Sequence, residues 1–116
     1  MTDTGNKLYE NAAQEDRSAR REKISIPASL RASGGKGYQT VVRDISLSGF
    51  SATAMSRIHP GTYCWLTLPG LESLTAKVIW WDEGLVGCAF ESLIAPIIFE
   101  DLLERWRMRG YIGPAS

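Results

Sequence analysis

From residue 24 onward, apolar and polar positions alternate. Ile24, Ile26, Ala28 and Leu30 are separated by Ser25, Pro27, Ser29 and Arg31, the period-two pattern of a strand with one buried face, and Pro27 marks it as an edge. Ser33-Gly34-Gly35-Lys36-Gly37 ends it in a turn. The same reading predicts strands over Tyr38–Arg43, Phe50–Met55, Thr62–Leu68, Leu74–Trp81 and Leu85–Glu91. Turns fall at Ser46–Gly49, Ile58–Gly61, Pro69-Gly70 and Asp82–Gly84. Six short strands at regular spacing, rich in β-branched and aromatic residues, predict an antiparallel barrel or sandwich. A barrel is preferred because closure removes exposed edges.

After Ser92 the period becomes helical. Pro96 suits a first helical turn, and Ile98, Leu102 and Arg105, with Phe99, Leu103 and Trp106, recur at helical spacing. Gly110 is the predicted stop. The opposite end, Met1 to Lys23, is polar and cannot bury enough surface to fold alone. The chain therefore divides into a flexible arm (1–23), a β-barrel with a C-terminal helix (24–109) and a tail (110–116).

Composition narrows the function. The chain has 116 residues, room for one domain, and its 13 Lys and Arg balance 13 Asp and Glu. Zero net charge argues against DNA or RNA as partner, which needs a broad positive field. Cys64 and Cys88 lie in apolar strand-like runs and read as buried thiols in a reducing cytoplasm. No segment is apolar enough to enter a membrane, and no signal peptide is evident. With no nucleophile–base pair and no metal-ligand spacing, neither catalysis, cofactor nor metal is expected. His59, in a turn beside Pro60, reads as a surface residue.

Two features carry chemistry. Arg17-x-x-x-Arg21, with Arg20 between, lies on the arm; Asp44-x-Ser46-x-x-Gly49 lies at a strand-to-strand turn. A guanine nucleotide diester presents phosphate charge, an O6/N7 edge that a guanidinium bridges with two hydrogen bonds, and an N1–H/N2 edge suited to a carboxylate. Arginine also stacks on a base. Gly49 would permit a positive φ and close approach of a ligand. Trp80 and Trp81 are adjacent, so they point to opposite faces; whichever faces outward could stack on a guanine. Trp65 and Trp106 read as core or helix-packing residues.

Together the two motifs resemble those of the PilZ family, Arg-x-x-x-Arg followed by Asp/Asn-x-Ser-x-x-Gly. Ala76-Lys77-Val78-Ile79-Trp80 is similar to that family's penultimate strand, and Gly87-Cys88-Ala89-Phe90 to the Gly-x-x-Phe of its closing strand. The resemblance implies a mainly β fold: a six-stranded antiparallel split barrel with an appended helix. It also implies binding of cyclic di-GMP on the barrel's outer face, with Arg17 and Arg21 on phosphates and guanine edges; Arg20, between them, is counted with the site. Asp44, Ser46 and Gly49 would line the base pocket, with Trp80 beside it. A receptor of this kind, monomer or weak dimer, relays the signal to a downstream protein. The rival reading is a PilZ-like interaction adaptor with weak or no nucleotide binding. The arginine arm is expected to order only when ligand arrives, leaving a site half-built without it.

Overall fold

In the computed structural model the described residues are 21–115, with side chains through Arg107. The alternation becomes six strands: β1 (Glu22–Ala32), β2 (Tyr38–Ile45), β3 (Gly49–Thr53), β4 (Tyr63–Thr67), β5 (Leu74–Asp82) and β6 (Leu85–Phe90). A helix, α1 (Pro96–Ala115), follows. The strands pair antiparallel in the order β1-β2-β3-β6-β5-β4, and β1 returns to β4 to close the barrel. Pro27 lies in the stretch of β1 paired with β2 but not with β4, whose pairing begins at Ser29. It thus occupies a local edge inside a closed barrel, where its missing N–H is tolerated.

The inward positions form one core. Ile26, Leu30, Val42, Ile45, Phe50 and Leu66 are fully buried, and the Phe50 and Phe90 rings meet at a centroid distance of 5.3 Å. From α1, Phe99, Leu102, Leu103 and Trp106 join that core at the i, i+3, i+4, i+7 spacing of one helical face. Arg107 reaches Glu22 at 3.5 Å, tying the helix to the start of β1. The helix continues through Gly110, its predicted stop, to Ala115. One glycine within a helix costs only about 1 kcal/mol, too little to end it by itself. The 110–116 tail is therefore helical through Ala115.

Trp65 also departs from expectation. Trp106 is a core residue, but Trp65 lies on the outer face, half-buried beneath Arg31, whose guanidinium carbon stands 4.3 Å from the ring centroid. Leu66 and Cys64 take the inward positions on either side of it.

Two irregularities decide which side chains face out. On β2, Val42 pairs with Ala52 and Asp44 with Ser51, so Arg43 is an extra residue. On β5, Val78 pairs with Cys88 and Trp80 with Gly87, so Ile79 is extra. Each is a β-bulge, in which two residues of one strand oppose one of its neighbour. Strict alternation from Ala76 and Val78 would send Trp80 inward. The bulge instead leaves Ile79 and Trp80 both outward, 53% and 40% exposed, while Trp81 packs against the core.

Candidate functional site

The two bulges flank β3 and β6 and bring four residues into one transverse row on the outer face. Asp44 pairs with Ser51, Ser51 with Gly87, and Gly87 with Trp80. The row runs from a carboxylate to an indole across four strands. Above it lies a groove of about 240 Å³ lined by Arg21, Ser48, Gly49, Ile79, Trp80, Gly87, Cys88 and Ala89.

Each part of the row has a local cause. The Asp44 carboxylate is held on both oxygens: Arg21 Nη1 donates to Oδ1 at 2.5 Å and Ser51 Oγ donates to Oδ2 at 2.6 Å. At the other end, the Trp80 ring lies across Gly87. A Cβ at position 87 would fall 2.2 Å from Trp80 Cε2 and 2.3 Å from Nε1, far inside van der Waals contact. Gly87 is thus the bed on which the indole rests.

The Asp44–Gly49 turn is built from its own side chain. Ser46 is buried, and its Oγ accepts hydrogen bonds from the N–H groups of Ser48 and Gly49, both at 3.2 Å. Its own N–H donates to the Gly49 carbonyl at 2.8 Å. The turn is then strapped to the end of β6 and the segment after it: Phe90 N–H donates to Ser48 O, and Ile94 N–H to Leu47 O. Ser46 therefore shapes the turn, and it is Ser48 that lines the groove. Gly49 differs from expectation as well. It does not carry a positive φ. A Cβ there would meet the Cys88 carbonyl oxygen at 2.4 Å, so glycine is required by the close approach of β3 to β6.

The arginine motif divides. Arg17 and Arg20 lie outside the described residues. Arg21 stands at the groove, its Nη1 paired with Asp44. The reason is the register: β1 begins at Glu22, which pairs with Ile45, and Lys23 pairs with Asp44. Residue 21 is therefore delivered beside the carboxylate by the strand itself. Glu22 pairs with Arg107.

Sequence reasoning missed Ser51, Ile79, Gly87 and Ala89. Ser51 was accessible in principle, because it is the outward position between inward Phe50 and Ala52. Ile79 was not, since nothing in the local composition announces the bulge. Behind the groove, inside the barrel, Cys64 Sγ donates to Cys88 Sγ at 3.7 Å. That hydrogen bond and burial push the Cys88 thiol up. The Tyr38 phenol is pushed up to about 12 by burial, with the two thiols adding to the effect, and its hydroxyl oxygen is buried without a hydrogen-bond partner among the described residues. Among the described residues no cluster of His, Cys, Asp or Glu could hold a metal ion, and no helix is long and apolar enough to cross a membrane.

The molecule is thus a closed barrel with an outer groove lined by an arginine and an indole, the arginine paired with the Asp44 carboxylate beside it. The PilZ domain pattern matches residues 15–107, and the chain belongs to that family, a family of cyclic di-GMP receptors. Among solved structures it is similar to the PilZ domain of CeSA from a cellulose-synthesizing bacterium. The two are 19% identical with a TM-score of 0.52, over 61% of this chain and 79% of the other. That likeness supports the barrel. No curated protein sequence matches the chain.

Proposed function

We propose that the chain is a cyclic di-GMP receptor, and not an enzyme, whose outer groove takes a guanine between Asp44 and Trp80. The observation that carries this reading is the row itself: a carboxylate with both oxygens oriented, Ser51 beside it, and at the far end an indole bedded on Gly87. Guanine N1–H and N2 donate to Asp44. Trp80 offers an apolar face, and stacking of this kind is worth ~1–3 kcal/mol per base. Arg21 turns from Asp44 to a phosphate or to the O6/N7 edge. Its side chain is half exposed, so the pair it gives up is worth only ~0–1 kcal/mol. Arg17 and Arg20 add charge from the preceding segment, while Ser46 and Gly49 act by fixing the turn. Ligand binding is then relayed to a downstream protein.

Calorimetry with purified protein tests this. Binding at micromolar cyclic di-GMP is expected, weakened about tenfold or more in Arg21→Ala and in Asp44→Ala through loss of charge-assisted hydrogen bonds. A folded protein that takes up no cyclic di-GMP would sink the receptor reading and leave the interaction adaptor. The Arg21–Asp44 pair is the observation that favours that adaptor, because it already satisfies both partners.

A further inference from the structure

A second row runs alongside the first on the same outer face. Gly49 pairs with Ala89, Ala89 with Lys77, and Lys77 with Tyr63. Gly49 and Ala89 line the groove, and they lie two residues along β3 and β6 from Ser51 and Gly87, about 7 Å at the rise of a strand. The floor of the groove is therefore made of small residues in both rows, Gly49, Gly87 and Ala89. Each row ends on the β5 side in something larger: Trp80 in one, Lys77 followed by Tyr63 in the other.

Lys77 has the attributes of a contact waiting for an anion. It is exposed, and its ammonium rests over the Tyr63 ring at 4.9 Å from the centroid. Among the described residues no carboxylate lies within ion-pair distance of it. A cation–π contact at an exposed site is weak, so the ammonium can leave the ring at little cost. Tyr63 is itself 43% exposed, and as a β4 residue it draws the Lys77 side chain to the side of β5 away from the groove.

The charges are arranged in opposition. Arg21 stands at the β1–β2 side of the groove and Lys77 at the β5 side. Three strand spacings, about 14 Å between backbones, separate β2 from β5; Arg21 lines the groove, and Lys77, turned onto Tyr63 of β4, would swing back across β5 to reach it. A cyclic dinucleotide carries two phosphates on opposite sides of one ring, so a single cationic bank leaves half of its charge unanswered. We infer that Lys77, held on Tyr63, is a second cationic contact of this groove and takes the phosphate on the half of a cyclic dinucleotide remote from Arg21. The inference rests on the receptor reading above and assigns it a second anchoring point.

Calorimetric titration of cyclic di-GMP into the wild-type protein, Lys77→Gln, Lys77→Arg and Arg21→Ala tests it, with circular dichroism confirming that each variant is folded. Lys77→Gln is expected to bind about tenfold more weakly, as for loss of a hydrogen bond to a charged group, and Lys77→Arg to bind within about threefold of wild type. Equal affinity of Lys77→Gln and wild type, with Arg21→Ala weakened, overturns the Lys77 assignment and leaves the receptor reading standing. Equal weakening in Lys77→Gln and Lys77→Arg also overturns it, because a phosphate contact by charge is preserved in arginine. Absence of wild-type binding overturns both readings together.

Discussion

Substituting alanine for Gly87 is the sharpest perturbation the site offers. The added methyl would meet three atoms of the Trp80 indole at 2.2 to 2.6 Å, where carbon atoms need about 3.5–4.0 Å. The ring must therefore lift by more than 1 Å on the order of that difference, or swing away. It is free to do so, because Trp80 is already 40% exposed. The cost is the cover it loses. A tryptophan presents up to about 250 Å², so roughly 150 Å² is covered, worth at most ~4 kcal/mol at about 25 cal/mol per Å². Partial re-seating on the new methyl and the ~0.5–1 kcal/mol by which alanine is favoured over glycine in a strand reduce this. The expected loss is about 1–3 kcal/mol in a urea titration, with Trp80 more open to acrylamide quenching. The Trp80→Ala background isolates the cause, since without the indole the same methyl should be neutral or stabilising. The coupling between the two positions is then about 1–3 kcal/mol. Additive effects in that cycle would refute the claim that glycine is present at 87 to seat the ring.

Three further outcomes follow from the geometry. Ser46→Ala removes the acceptor shared by the Ser48 and Gly49 N–H groups and should cost about 1–2 kcal/mol in a urea titration. Ser51→Ala frees one oxygen of Asp44; it should lower affinity for cyclic di-GMP several-fold in calorimetry while shifting the urea midpoint little. Tyr38 has its phenol raised from 10.0 to about 12, so the folded state prefers the neutral form. That contribution is complete below pH 10.0 and is lost as pH rises through about 12. Urea midpoints measured across that range should fall more in wild type than in Tyr38→Phe, and the variant should be no less stable at neutral pH because the hydroxyl it deletes has no partner among the described residues.

The strands were legible because alternation is enforced by burial: an inward Ile26, Leu30 or Val42 cannot be exchanged for its polar neighbour without exposing the core. The helix was legible for the same reason at a different period. Asp44 and Arg21 were legible as residue types suited to guanine and phosphate, and the strand register brings them together. The two bulges were not, because each depends on pairing with a neighbouring strand, and pairing is not written in local composition. The orientation of Trp80 therefore stayed open between two adjacent tryptophans. The part Ser46 plays in the turn was not legible through a related ambiguity: a serine before a turn can serve the ligand or the backbone, and here two N–H groups claim its hydroxyl. Trp65 was misplaced because an aromatic in a strand was read as core, although an arginine on the next strand can roof an outward ring equally well.

The bulges have a consequence for how such a groove can diversify. Arg43 is supernumerary toward β3 and Ile79 toward β6: along those pairings, removing either would leave Val42 and Val78 inward and Asp44 and Trp80 outward, although on its other side Arg43 stands opposite Ile24 and Ser25 of β1. The two positions thus answer to no packing demand of the interior. One stands beside the carboxylate and the other forms part of the opposite wall. They are places where single-residue insertions, deletions or exchanges can retune the rim while the barrel beneath keeps its frame, so that recognition and stability can drift independently in one small chain.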